Sequence, residues 1–145
     1  MSYPKRIARI AGVLYLVIAA AAIVAHMYVP SNLIVDGDPA LTAANIATST
    51  ALFRLGIAGE LVVLLSEVVL SVLLYVLLKP VNGTISLLAM ASRLVMTTIH
   101  GLNLLNSYFV LMLISGTGPA LVFESSQTSA LVSLFLRAHD YGFTI

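Results

Sequence analysis

The sequence predicts an all-α fold, a polytopic transmembrane helix bundle, on three observations. Of 145 residues, 60% are hydrophobic and only 9% are charged, against about 25% charged in soluble domains; mean hydropathy is +1.06. The apolar residues gather in runs longer than the ~20 that a helix needs to cross the hydrocarbon. All five prolines (Pro4, Pro30, Pro39, Pro80 and Pro119) are read as lying outside the spans, because proline interrupts helices. The reading is one membrane domain over 1–145, with full spans at about 7–29, 52–78 and 84–114 and a fourth helix at 127–145 that is expected to be incomplete.

The first span follows Lys5, Arg6 and Arg9. It is too long for a cleaved signal core, and its small residues 19–22 lie inside the run, so it is expected to be retained. The extracellular loop 30–50 contains Asp36-Gly37-Asp38-Pro39. Asp38 reads as an N-cap and Pro39 as the first residue of a short helix to about 48. With Leu41 and Ile46 as its only large apolar residues, that helix should lie on the surface.

Lys79-Pro80-Val81-Asn82-Gly83 turns the second span back into the third. At ~1.5 Å per residue the third span exceeds the hydrocarbon thickness, so its outer end should project or tilt. Ser115-Gly116-Thr117-Gly118-Pro119 stops it, and the Ser/Thr-rich stretch 125–129 opens the last helix. That helix carries Arg137, His139 and Asp140 and still reads as helical at Ile145, so the chain is expected to be truncated.

Lys5, Arg6, Arg9 and Lys79 fall at one end of the bundle, while the loops 30–50 and 115–126 contain no Lys or Arg. The positive-inside rule then places the N-terminus and the Lys79 turn in the cytoplasm of a plasma-membrane protein. Tyr28 and Tyr108 fall near the outer interface and Tyr75 near the inner one. A net charge of +1 gives no footing for nucleic acid, and the absence of cysteine excludes disulfides and thiolate chemistry. Membrane lipids are the expected partners, together with self-association, because so few spans bury few helix faces.

The polar residues within the spans carry the functional question, since ionisable groups there face the bundle interior by default. Glu60 and Glu67 share one face of the second span, and Arg93 and His100 share one face of the third. Folding the two spans about residue 80 sets Glu67 opposite Arg93 and Glu60 opposite His100. Asn103 continues the His100 face, with Asn106 beyond it. His26 and His139 reach similar depths from other helices, and either His139 or Asp140 is expected to face Glu67 or Arg93. The Glu67–Arg93 pair reads as an ion pair fixing the hairpin register, or as a grip on a polar group. Glu60 with His100 suits proton relay or acid–base work, because histidine changes charge near neutral pH. His26, Glu60 and His100 are weak metal candidates, without a local ligand motif. No cofactor is expected: there is no glycine-rich phosphate loop, dinucleotide fingerprint or haem-type histidine pair.

The pieces Arg9-Ile10-Ala11-Gly12-Val13-Leu14-Tyr15, Leu33-Ile34-Val35-Asp36-Gly37-Asp38, Leu52-Phe53-Arg54-Leu55-Gly56-Ile57 and Leu74-Tyr75-Val76-Leu77-Leu78-Lys79-Pro80-Val81-Asn82 occur in this order. Together with His139-Asp140-Tyr141-Gly142-Phe143, the chain resembles the uncharacterised prokaryotic membrane family called domain of unknown function 4386. The resemblance implies a multi-helix membrane fold, usually in longer chains, and brings no activity or catalytic residue with it. Three functional classes stay open. They are a bundle whose polar column is structural or binds a lipid-like or small polar ligand, a proton-coupled transporter or channel component, and a membrane-embedded hydrolase.

Overall fold

A computed structural model describes residues 3–116 and 122–144, and every regular element among them is helical. Helix α1 (Tyr3–Ala22) continues through a π-helical segment (Ile23–Tyr28) into α2 (Val29–Leu33), forming one continuous span. Pro30 therefore lies inside the first span instead of ending it. Proline has no N–H to donate and its ring crowds the carbonyl four residues back. The wider π turns immediately before it relax that crowding, and the helix ends only where Ile34 becomes extended.

Helix α3 (Pro39–Thr48) begins as its sequence suggests: the Asp38 carboxylate accepts a hydrogen bond from the Leu41 N–H at 2.9 Å. It is less peripheral than expected. Leu41 is exposed, but Ile46 is fully buried, and the Thr42 hydroxyl both accepts from the Val35 N–H and donates to the Val35 carbonyl. Helix α4 (Thr50–Leu78) runs unbroken for 29 residues. After the Lys79 turn, the Asn82 side chain caps α5 (Gly83–Asn103) by accepting from the Ile85 N–H at 3.0 Å. A joint at Leu104 leads into α6 (Leu105–Ser115), which ends on Gly116 in the left-handed region at φ 59°, a conformation that glycine adopts without a Cβ clash. The Thr117-Gly118-Pro119 part of the expected stop lies outside the described residues. Helix α7 (Ser125–Thr144) starts slightly earlier than expected.

Among the described residues three helical stretches are long and apolar enough to cross a membrane: Pro4–Leu33, Thr50–Leu78 and Gly83–Ser115. Their outward residues confirm what the medium must be. Leu16 is 72% exposed, Leu65 68% and Leu88 67%, a surface that water would penalise and lipid tails accept. The chain is a multi-pass membrane protein.

Its core lies at one end. Val29, Leu33, Ile46, Phe53, Ile57, Leu104, Val110 and Val132 form a buried cluster drawn from α2, α3, α4, the Leu104 joint, α6 and α7. The first span packs on α4, α4 packs on α5, and α7 lies against α3, α5 and α6. Small residues permit the first of these contacts: a Cβ on Gly59 would stand 3.3 Å from the Ala21 carbonyl oxygen and from the Ala25 Cβ. Without a hydrophobic drive between helices in lipid, such close approach is a main source of association. Phe109 and Phe135, 5.1 Å apart at their centroids, join α6 to α7.

Candidate functional site

The site forms where α7 meets α4. Glu60 Oε2 lies 3.0 Å from His139 Nε2, and both side chains are buried. This acid–base contact joins α4 to α7. Two further contacts hold His139 in place. Its backbone carbonyl accepts from Asn103 Nδ2 at 2.8 Å, and Asn103 Oδ1 accepts from Asn106 Nδ2 at 3.0 Å. One turn along α7, Gly142 rests directly on the Asn103 amide, where any Cβ would overlap it. The His26 ring stacks on that of His139 with centroids 6.5 Å apart and an interplanar angle of 27°. His26 sits in the π-helical segment, a feature that often accompanies functional sites.

A cavity of about 410 Å³ opens beside this contact, between the first span and α7. Its polar wall is His26, Glu60, His139, Asp140 and Ser107; its apolar wall includes Val29, Leu33, Phe53, Ile57 and Leu136. On the other side of Glu60, His26 and His100 line a gap of only about 10 Å³.

The sequence-predicted residues thus separate into two groups. Glu60, His139 and His26 line the cavity; Asn103 stands behind it, holding the His139 carbonyl, and His100 borders the neighbouring small gap. Glu67 and Arg93 lie elsewhere, towards the Lys79 turn. The predicted facing pairs change partners: the Glu60 carboxylate meets His139 rather than the expected His100. Glu67 Oε2 accepts from the Thr97 hydroxyl at 3.1 Å, and Arg93 Nε donates to Ser71 Oγ at 3.3 Å; the two charges do not form an ion pair with each other. The cause is the direction of helical side chains, which lean towards their own N-terminus. On antiparallel helices, opposed residues lean apart. Glu67 therefore rises to the level of Thr97 while Arg93 descends to that of Ser71. His139 accordingly meets Glu60, not Glu67 or Arg93.

Among the described residues no group of three or more His, Asp or Glu side chains has the arrangement of a metal site; His26, Glu60 and His100 border one gap without converging as ligands. Asp140, already marked in the sequence beside His139, lines the cavity, whereas Ser107 gains significance only from the fold. For Ser107, no sequence signal marks it out, since a serine in an apolar run is ordinary. For Gly142, the His139-Asp140-Tyr141-Gly142 stretch was a usable signal.

No curated protein and no solved structure matches the chain. Residues 10–145 match the family model described as a domain of unknown function (DUF4386). That match takes in nearly the whole chain, and the protein belongs to the domain of unknown function 4386 family.

Proposed function

We propose that the protein binds a small amphiphile in the cavity between its first span and α7. The head of the ligand, cationic or rich in hydrogen-bond donors, sits at Glu60 and Asp140, and its apolar body lies along Val29, Leu33 and Phe53. The observation that carries this reading is the cavity wall itself: a mostly apolar lining with a few convergent polar groups, in a volume of about 410 Å³. Ligand cavities typically span about 300–1,000 Å³ and have this mixed lining. Two carboxylates on the wall favour a donor over an acceptor head. We also propose that the protein resides in the plasma membrane with its N-terminus and Lys79 turn in the cytoplasm, a reading supported by the basic residues gathered at that end.

Native mass spectrometry of the protein released from mild detergent tests the binding reading. The wild type is expected to retain a small amphiphile that Glu60→Gln weakens by about tenfold, the effect of losing one charge-assisted hydrogen bond. Ile57→Trp, which fills the cavity without touching the acid–base pair, is expected to expel it. A wild type that emerges without such a molecule, or variants that hold it unchanged, would refute the reading.

A further inference from the structure

The far end of the bundle holds two cations in an arrangement the cavity does not use. Arg93 descends along α5 until its Nε donates to Ser71 Oγ at 3.3 Å. Ser71 is itself fixed, donating to the Glu67 carbonyl at 2.7 Å. One turn further along α4, the Lys79 ammonium reaches back over the Tyr75 ring, 5.5 Å from its centroid. Ser71, Tyr75 and Lys79 are spaced four residues apart and so form one stripe. Tyr75 is also tied to the α5 side of the seam, since its carbonyl accepts from the Ser86 hydroxyl at 3.0 Å.

Among the described residues neither cation has a carboxylate within 4.0 Å. Among the described residues every buried side-chain nitrogen and oxygen has a hydrogen-bond partner, and only Nε of the Arg93 side chain has one. Its terminal guanidinium nitrogens therefore lie at the surface, on a helix that faces lipid. Depth tells which part of the lipid they meet. Helix α4 has 29 residues, about 43 Å, so it overhangs a ~30 Å hydrocarbon core by about 6 Å at each end. Ser71 is then about 10 Å from the Lys79 end of the helix and about 4 Å below the edge of the hydrocarbon. A guanidinium at this depth reaches the headgroup layer.

We infer that Arg93 and Lys79, with Ser71 and Tyr75 between them, hold the phosphate of a phospholipid from the leaflet at the Lys79 end. With Nε engaged, the two terminal nitrogens leave one free edge of paired N–H groups, the geometry that matches phosphate oxygens. The ammonium closes the site from the headgroup side, and the acyl chains lie along the exposed faces of α4 and α5. The source is a lipid because the guanidinium is reached only through the interfacial layer; a free phosphate would have to leave water to reach it.

Lipid retention by the full chain in nanodiscs and in native mass spectrometry tests this site. The probes are phosphatidylglycerol, a diacylglycerol with the same chains and no phosphate, and inorganic phosphate. The wild type is expected to retain one phosphatidylglycerol about tenfold more tightly than the diacylglycerol, with each of Arg93→Gln and Lys79→Gln removing most of that preference. Arg93→Lys keeps the charge and loses the fork, so it is expected to fall between. Lys79 is on an exposed turn, so Lys79→Gln remains informative even if Arg93→Gln fails to fold. Equal retention of the two lipids by the wild type, or an unchanged preference in Lys79→Gln, would overturn the site. Displacement of the phospholipid by millimolar inorganic phosphate would overturn its assignment to a lipid headgroup.

Discussion

At the scale of single residues, the direction in which a side chain leaves its helix decides which charges meet. Counting back from the turn assigns Glu60, Glu67, Arg93 and His100 a height and a face on their helices. It then pairs them wrongly, because opposed side chains on antiparallel helices lean apart. The acid–base character of the interior was therefore legible in the sequence, while its partners were not. The Glu60–His139 contact adds a second reason: it depends on how α7 docks, and no count of residues carries register across the 116–124 connection. The contact itself makes a sharp expectation. With Glu60 Oε2 and His139 Nε2 buried and 3.0 Å apart, Glu60→Leu strands an imidazole nitrogen and His139→Phe strands a carboxylate. Each is expected to cost about 1–3 kcal/mol. The double variant removes both polar groups together, so its cost should fall below the sum by about 1 kcal/mol or more. Thermal unfolding of the four proteins in one detergent measures the cycle, and strict additivity would mean that the two groups do not depend on each other.

At the scale of elements, helix positions were readable wherever composition or capping marks an end, as at Asp38 and Asn82. They were misread where a proline is tolerated: Pro30 sits within the first span because the π-helical segment prepares the backbone for it. That segment also turns His26 towards the stacked ring of His139, so a local departure from α geometry positions a site residue. Helix α7 is the element whose role was least visible. It is not among the stretches long and apolar enough to span a membrane, and it is held instead by particular contacts: Phe135 on Phe109, His139 on Glu60 and Gly142 on Asn103. The last of these admits no side chain. Gly142→Ala would drive a methyl group into the Asn103 amide and is expected to lower stability by about 1–3 kcal/mol. Replacing Asn103 by alanine in the same chain should make the second change less costly than it is alone. The contact is confirmed if protease resistance of α7 falls in Gly142→Ala and partly returns in the double variant; an unchanged resistance in Gly142→Ala would mean that α7 is not docked through this glycine.

At the scale of the whole molecule, two ends with different chemistry face opposite sides of the membrane. The loop end holds the buried cluster around Ile46, the cavity and α3, with Asp36, Asp38 and Glu124 exposed there. The opposite end holds Lys5, Arg6, Arg9 and Lys79. Such asymmetry of Lys and Arg sets the orientation of short-looped membrane proteins, and here the proposed ligand cavity lies near one face and the proposed lipid-phosphate site near the other. The chain contains no cysteine, so single introduced thiols report sidedness without interference. Val81→Cys lies in the Lys79 turn, where Val81 is 86% exposed, and Ala40→Cys lies on the exposed first turn of α3. A membrane-impermeant maleimide added to intact cells is expected to label the thiol at position 40 and spare that at 81 until the membrane is permeabilised. The reverse pattern would place the cavity on the cytoplasmic side, and the ligand it takes would then have to come from inside the cell. Equal labelling of both thiols in intact cells would mean that the four basic residues at one end do not fix a single orientation.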